Sequence, residues 1–228
     1  MSRLSKLATL VAALISITAP ARACGVELVL AMDISRSVSR TEFRLQVDGL
    51  ADAFRDPEVR QAIKGIPGGV LTTVMIWGDS EQQRQTAPWT LLQGGEETEG
   101  FANLIQATPR TFAFTLTGLG AAMLYADRLT KSAPIRCNRR VIDISGDGVW
   151  NHGPRPSAAW ASGMSRDVTV NGLVILGATP NPLNQYQLEV IGGPGAFVEV
   201  ADDFDDYALA IRRKLLRELA PAFVMLTE

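Results

Sequence analysis

The sequence VELVLAMDISRS occupies residues 26–37 and joins an apolar run to a cluster of small polar side chains. Residues 26–32 show little alternation between apolar and polar side chains, which is typical of a strand buried on both faces of a parallel sheet. The segment that follows, residues 41–55, places its apolar side chains on one helical stripe, at Phe43, Val47, Leu50 and Phe54. The first unit of the chain is therefore predicted to be a buried strand, a polar loop and a helix.

The alternation of strand and helix continues along the chain. Further strands are predicted at residues 70–77, 88–92, 140–145, 168–176 and 196–200. Strand 88–92 is expected at a sheet edge, where its proline is tolerated. Helices are predicted at residues 97–107, 118–129, 156–166, 183–191 and 204–219. This order predicts an α/β fold with a doubly wound, mainly parallel six-stranded sheet and helices on both faces.

The first 23 residues differ in composition from the rest. Arg3 and Lys6 precede an apolar run at residues 7–19, and Ala21-Arg22-Ala23 follows it. This order is typical of a secretory signal peptide with an A-x-A cleavage site, and the apolar run is shorter than the roughly 20 residues that span a bilayer. We expect residues 1–23 to be removed, leaving one domain at residues 24–228, without a membrane span, in the periplasm or outside the cell.

Cys24 and Cys137 are the only cysteines in the sequence. Cleavage after Ala23 would place Cys24 at the mature N-terminus, where it could carry a lipid anchor. Arg22 argues against an anchor, because lipoprotein signals have small uncharged residues at that position. The alternative is a Cys24–Cys137 disulfide, since an exported chain lies where such bonds persist. The sequence favours the disulfide and leaves the anchor as the second interpretation.

The charge balance restricts the class of partner. The chain has 22 basic and 24 acidic side chains, and three of the basic ones lie within residues 1–23. An acidic balance argues against nucleic acid and against an anionic membrane surface as partners. The chain has one histidine, His152, which argues against zinc because catalytic zinc sites usually use several His or Cys ligands.

Oxygen-bearing side chains follow two of the predicted strands. Asp33, Ser35 and Ser37 follow strand 26–32, and Asp147 follows strand 140–145. Ligands of doubly wound sheets bind beyond the carboxyl ends of the strands, so these side chains would meet if the two strands are neighbours. Taken singly, residues 33–37 could be a helix N-cap and Asp147-Gly148 a turn. Their joint occurrence at strand ends favours a shared site.

These motifs resemble the von Willebrand factor A (vWA) domain. DISRS at 33–37 is similar to its Asp-x-Ser-x-Ser motif, TGLGA at 117–121 to its threonine loop, and DG at 147–148 to the aspartate that completes its metal-ion-dependent adhesion site (MIDAS). The resemblance extends over essentially all of residues 24–228. It is closer to an exported bacterial vWA-like subfamily of unknown function, through IDISGDG at 142–148, VNGLVIL at 170–176 and IGGPGAF at 191–197.

The resemblance implies a divalent cation, with Mg²⁺ favoured and Mn²⁺ or Ca²⁺ as alternatives. Such ions take oxygen ligands, and the resemblance implies that they come from Asp33, Ser35, Ser37, Thr117 and Asp147. Thr115 is an alternative to Thr117. One coordination position would remain for an acidic residue of a partner protein. The same fold would make the strands after Cys24 and Cys137 parallel neighbours, with both thiols at the end opposite the metal.

The expected function is a metal-dependent protein-binding module and not an enzyme. One alternative is a hydrolase in which the ion polarises a substrate or activates water, with His152 as the one base outside the ligand set. Another is a structural assembly component in which the metal is incidental. GLGAAM at 118–123 lacks the third Gly or Ala of a dinucleotide-binding turn, and Trp150 is a candidate for the rim of the site.

Overall fold

The structure is a computed structural model that describes residues 24–111 and 115–220. The predicted signal peptide, residues 1–23, lies outside the described residues, and so do residues 112–114 and 221–228.

Six strands of the described residues form one sheet in the order β3-β2-β1-β4-β5-β6. Every neighbouring pair is parallel except β2 and β3, which are antiparallel at one edge. The strands are β1 (Cys24–Asp33), β2 (Val70–Trp77), β3 (Gln83–Leu92), β4 (Cys137–Gly146), β5 (Val168–Ile175) and β6 (Val198–Ala201). The predicted six-stranded, mainly parallel sheet is confirmed.

Helices cover both faces of this sheet. One face carries α1 (Arg40–Arg55), α2 (Pro57–Gly65), α3 (Glu96–Gln106) and α7 (Tyr207–Leu219). The other carries α4 (Leu119–Lys131), α5 (Pro156–Ala161), and α6 (Leu183–Gln185) with the π-helical turn Tyr186–Val190 that continues it. The doubly wound α/β architecture is therefore also confirmed.

Strand β1 lies in the middle of the sheet and packs into two separate cores. Leu28, Leu30 and Met32 belong to the core beneath α1 and α7, whereas Val29 and Ala31 belong to the core beneath α4. Successive side chains of a strand point to opposite faces, so a central strand covered on both sides needs apolar residues at every position. This accounts for the weak alternation at residues 26–32.

Several elements differ in extent from the predicted ones. Helix α2 was not predicted, although Asp56 caps it by accepting hydrogen bonds from the backbone N–H groups of Glu58 and Val59. The predicted helix 156–166 ends at Ala161, because Gly163 has a φ of +97°, outside the helical region. Strand β3 starts five residues before the predicted 88–92, since its earlier polar residues pair with the end of β2.

The predicted disulfide is present between Cys24 and Cys137. The two residues are register partners at the amino ends of β1 and β4, with Cα atoms 4.5 Å apart. A cysteine in a disulfide cannot carry a thioether-linked lipid, so the structure supports the disulfide over the anchor. None of the helices in residues 24–111 and 115–220 has the length and apolar character needed to cross a membrane.

Candidate functional site

Three chain segments meet at the carboxyl ends of β1 and β4. The first is the loop between β1 and α1, the second is residues 115–118 before α4, and the third follows β4 from Asp147 onward. Because β1 and β4 are parallel neighbours, their carboxyl ends lie side by side. Successive strands of the chain are added on either side of β1, which makes this edge the switch point where doubly wound sheets bind ligands.

The loop after β1 brings one carboxylate and two hydroxyls together. Asp33 is fully buried, and its Oδ1 accepts a hydrogen bond of 2.6 Å from the backbone N–H of Ser35. The Oγ atoms of Ser35 and Ser37 lie 3.1 Å apart. The backbone carbonyl of Asp33 accepts a hydrogen bond from Nε2 of the buried Gln46 on α1. Two hydrogen bonds to Asp33 thus fix the start of the loop, and its two hydroxyls lie next to each other.

Asp147 joins this group from the end of β4. Its Oδ1 accepts a hydrogen bond of 2.7 Å from the Ser37 hydroxyl. Burial raises the pKa of Asp147, and burial together with the negative charge of Asp147 raises the pKa of Asp33 well above its usual range. Neither carboxylate forms an ion pair with a basic side chain of the described residues. The site therefore concentrates negative charge that the described part of the chain leaves uncompensated.

The two candidate threonines have different environments. The Thr115 hydroxyl donates to the backbone carbonyl of Ile34, and the Thr115 carbonyl accepts from the Arg36 N–H. Thr115 therefore stabilises the loop after β1 through two hydrogen bonds, one to each of two loop residues. The Thr117 Oγ1 and the Ser37 Oγ lie 3.2 and 3.8 Å from the point where a Cβ on Gly148 would stand. Two hydroxyls thus face one small space beside Asp147, and this geometry favours Thr117 over Thr115 as the site residue.

Two neighbouring residues that no sequence motif singled out, Asn151 and Tyr186, lie against this site. Asn151 fixes Thr117, because its Oδ1 accepts from the Thr117 N–H at 2.8 Å and its own N–H donates to the Thr117 carbonyl. The buried Tyr186 hydroxyl and Asp33 Oδ2 both lie within 3 Å of the position of a Cβ on Gly146. Their contribution depends on contacts between distant segments, and no local sequence pattern marks it.

His152 and Trp150 have structural partners in this region. His152 Nδ1 accepts a hydrogen bond from the Ser80 N–H at 3.2 Å, so that nitrogen is engaged in joining two loops. Trp150 is half-buried, its Nε1 donates to the Gly153 carbonyl, and the Arg155 guanidinium lies 4.9 Å from its ring centre.

The glycines at 118 and 120 allow close packing of the backbone. A Cβ on Gly118 would lie 2.6 Å from the backbone carbon of Asp79, and one on Gly120 would clash with the Pro154 carbonyl. Close approach of neighbouring loops therefore accounts for both glycines of the Gly-x-Gly pattern.

Replacing Gly146 with alanine should disturb the site directly. The new methyl group would meet Asp33 Oδ2 at 2.9 Å and the Tyr186 hydroxyl at 2.7 Å, so we expect a loss of about 1–3 kcal/mol of unfolding free energy from overpacking. Urea denaturation followed by circular dichroism measures it. Gly100→Ala is the matched control, because nothing lies within 4 Å of its Cβ position in α3 and alanine favours the helix. Equal stability of Gly146→Ala and wild type would contradict the close approach.

An acidic groove of about 450 Å³ opens beside the exposed Ser37 and the largely buried Asp147. Both residues line it, and Glu42, Asp203 and Asp205 supply further carboxylates to its lining. Among the described residues no cluster of three or more His, Cys, Asp or Glu side chains is arranged to hold a metal ion. The candidate site itself has two carboxylates, and its remaining side-chain oxygens are hydroxyls.

Comparisons with known proteins match this chain to one family model and to several solved structures. The family model described as "Protein of unknown function (DUF1194)" matches residues 23–223. No curated protein sequence matches the chain.

Solved structures with the same fold are vWA proteins. Proximal thread matrix protein 1 (PTMP1) from the mussel byssus is 14% identical, with a TM-score of 0.63 over 86% of this chain and 49% of that one. A von Willebrand factor type A protein from Catenulispora acidiphila is 16% identical, with a TM-score of 0.60 over 86% of this chain and 42% of that one. The chain thus spans about half the length of these two proteins or less.

Two further structures extend the comparison. BatB, a conserved hypothetical protein from Bacteroides thetaiotaomicron, is 15% identical, with a TM-score of 0.55 over 86% of this chain and 98% of that one. A second structure of PTMP1, 15% identical with a TM-score of 0.57 over 87% of this chain and 49% of that one, has a zinc-occupied MIDAS motif. None of these proteins is named as an enzyme. At such identities the likeness shows the fold, which is that of a vWA domain.

Proposed function

The chain belongs to the family described as "Protein of unknown function (DUF1194)", and on its vWA-type fold we propose that it is an exported, metal-dependent protein-binding module. The proposed ligands of the ion are Asp33, Ser35, Ser37, Thr117 and Asp147. The proposed partner is a protein that offers an acidic side chain to the bound ion.

One observation carries this proposal. Asp33 Oδ2 is buried and has no hydrogen-bond donor among the described residues. A buried carboxylate that has an unsatisfied oxygen and no counter-charge is destabilising, so buried charges are normally paired or bound to metals. The second carboxylate of the site, Asp147, adds to the cost through its negative charge. A cation beside Asp33 and Asp147 would remove both penalties.

The chemistry of the surrounding groups suits a hard divalent cation. Mg²⁺ and similar ions bind oxygen, and this set supplies carboxylate and hydroxyl oxygens without sulfur or imidazole. The hydroxyls carry no charge, so the two carboxylates are the only formal negative charges in the set. A bound ion would supply an electrophilic centre that attracts one further carboxylate. We favour Mg²⁺ as the resident ion, with Mn²⁺ or Ca²⁺ as alternatives.

Ser37 and Asp147 define where the partner would approach. Both residues line the acidic groove, whereas Asp33 and Ser35 are fully buried behind them. The buried residues would hold and orient the ion, and the exposed hydroxyl would face the incoming group. PTMP1, which shares the fold, has a structure with zinc in its MIDAS motif, and this supports a cation at the corresponding place in the present chain.

Export is part of the same proposal. Residues 1–23 would act as a signal peptide, and residues 24–228 would form one domain in the periplasm or outside the cell. The Cys24–Cys137 disulfide supports this location, because such bonds persist in oxidising compartments.

Titration calorimetry with Mg²⁺ and Mn²⁺ tests the metal dependence. We expect one ion per wild-type chain and an affinity lower by about tenfold or more in Asp33→Asn, because ligand charge sets affinity. Asp205→Asn is the matched control, since Asp205 lines the neighbouring groove outside the ligand set. Absence of binding by the folded wild-type protein, or equal loss in both variants, would refute the proposed site.

A further inference from the structure

A second groove adjoins the loop that carries the proposed ligands Ser35 and Ser37, because one of its lining residues, Arg110, contacts the backbone of that loop. It measures about 490 Å³ and is lined by Arg40, Phe43, Arg44, Thr108, Pro109, Arg110 and Thr111. Three of these seven residues are arginines and none is acidic. We call this surface the arginine groove. Because guanidinium groups bind carboxylates in bidentate geometry, its composition suits an acidic ligand.

Arg110 connects the arginine groove to the proposed metal site. Its Nη2 donates to the Val38 carbonyl at 2.5 Å and lies 3.5 Å from the carbonyl oxygens of Ile34 and Ser35. These carbonyls belong to the loop that carries the Ser35 and Ser37 hydroxyls. The Nε of Arg110 is buried and has no acceptor among the described residues. A ligand in the groove would therefore lie against the loop that carries Ser35 and Ser37.

Arg40 lies at the N-terminus of α1, where a basic side chain destabilises the helix. It is the first residue of α1, just after the Ser39 cap, and cations are unfavourable near the positive end of the helix dipole. Arg40 is exposed and forms no ion pair with the described residues. Arg44, one turn later, pairs with Asp48 through Nη2 and donates to the Gln106 carbonyl through Nη1. An exposed ion pair such as Arg44–Asp48 contributes little to stability, so the positive charge at this end of α1 is available to a ligand.

The two grooves differ in charge, and this difference predicts which one an acidic ligand would occupy. The acidic groove, which Ser37 lines, carries Glu42, Asp203 and Asp205 and shares no lining residue with the arginine groove. An acidic chain held at the ion would be repelled from the acidic groove and attracted to Arg40 and Arg44. The exposed Pro109 in the arginine groove also gives a peptide backbone apolar contact.

We infer that the partner presents an acidic segment, with one carboxylate on the ion and at least one more in the arginine groove. This inference rests on the proposed function, because it concerns the partner residues next to the acid that would bind the ion. The partner is expected to be a protein segment with several neighbouring Asp or Glu residues.

Binding of fluorescently labelled peptides tests the arginine groove. The probes are capped tetraglutamate and a capped single glutamate, each measured by fluorescence anisotropy in Mg²⁺ and in EDTA. In Mg²⁺ we expect tetraglutamate to bind wild type about tenfold more tightly, since neighbouring charge pairs add to the attraction. The double variant Arg40→Gln/Arg44→Gln should lose this advantage and keep the metal affinity of wild type. Arg84→Gln/Arg166→Gln is the matched control, with the same charge change at two exposed arginines outside the groove.

The outcomes separate the groove from the metal site. Equal weakening by both double variants would overturn the inference, because it would indicate a response to net charge alone. Equal affinity of the two peptides for wild type would also overturn it, and so would tighter binding of tetragalacturonate, which would assign the groove to a polysaccharide. If wild type binds no metal, the proposed function fails. The arginine groove is then tested by the anisotropy measurement in EDTA. There, Arg40→Gln/Arg44→Gln should bind tetraglutamate more weakly than wild type, and equal binding would overturn the inference.

Discussion

Replacing Lys214 with methionine should lower the free energy of unfolding by about 3–5 kcal/mol. Lys214 is fully buried on α7, and its Nζ lies 2.8 Å from Asp143 Oδ2 on β4 and 2.5 Å from Glu218 Oε1. Methionine keeps the packing volume but removes the cation that pairs with both buried carboxylates, and neither has another ion-pair partner among the described residues. Urea denaturation of both proteins at pH 8 measures the loss.

The loss should depend on pH in a defined direction. Burial raises the pKa of Asp143 to about 7 even with Lys214 beside it, and removal of the lysine raises it further. A folded-state pKa above the unfolded value costs stability as the pH rises through it. Lys214→Met should therefore be less impaired at pH 5, where the Asp143 carboxyl holds its proton, than at pH 8.

The exposed Lys64 on α2 supplies the control. Lys64→Met should change stability by no more than about 0.5 kcal/mol. A deficit below about 1 kcal/mol in Lys214→Met, or one that does not change between pH 5 and pH 8, would contradict a buried charge cluster that joins α7 to the sheet.

Loss of the disulfide should cost about 2–5 kcal/mol under oxidising conditions. The bond closes a segment of the chain with a sequence separation of 113 residues and joins the two central strands at their amino ends. Thermal and urea denaturation of Cys24→Ser/Cys137→Ser would show the effect. Wild type treated with dithiothreitol should match the double variant, and dithiothreitol should leave the variant unchanged. Equal stability of oxidised wild type and the variant would show that the bond contributes nothing.

The central strands were predictable because the pattern of apolar residues in each strand indicates how many of its faces are buried. The unbroken apolar run of β1 indicates cover on both faces, and Asp33 and Asp147 follow strands whose ends lie together once the sheet is parallel. The two cysteines are the only ones in the sequence, and as the first residues of β1 and β4 they are register partners. Local pattern supplied the burial of each strand, whereas the adjacency of the two strands was implied by the resemblance to vWA domains.

The remaining features depend on contacts between segments far apart in the chain. Asn151 acts on Thr117 across 34 residues, and Arg110 reaches the Val38 carbonyl across 72. The Tyr186 hydroxyl and Asp33 Oδ2 become neighbours because Gly146 has no side chain. No periodicity in the sequence encodes these long-range contacts. The supporting residues and the arginine groove could therefore be identified only from the folded structure.

Anomalous diffraction from crystals of the protein grown with Mn²⁺ tests the central claim most directly. A bound ion should give one strong peak per chain among the side-chain oxygens of Asp33, Ser35, Ser37, Thr117 and Asp147, within about 2–2.5 Å of its direct ligands. Crystals of Asp33→Asn should show that peak weakened or lost. A peak at other residues, or none at this sheet edge in protein that binds Mn²⁺ in solution, would contradict the metal site proposed here.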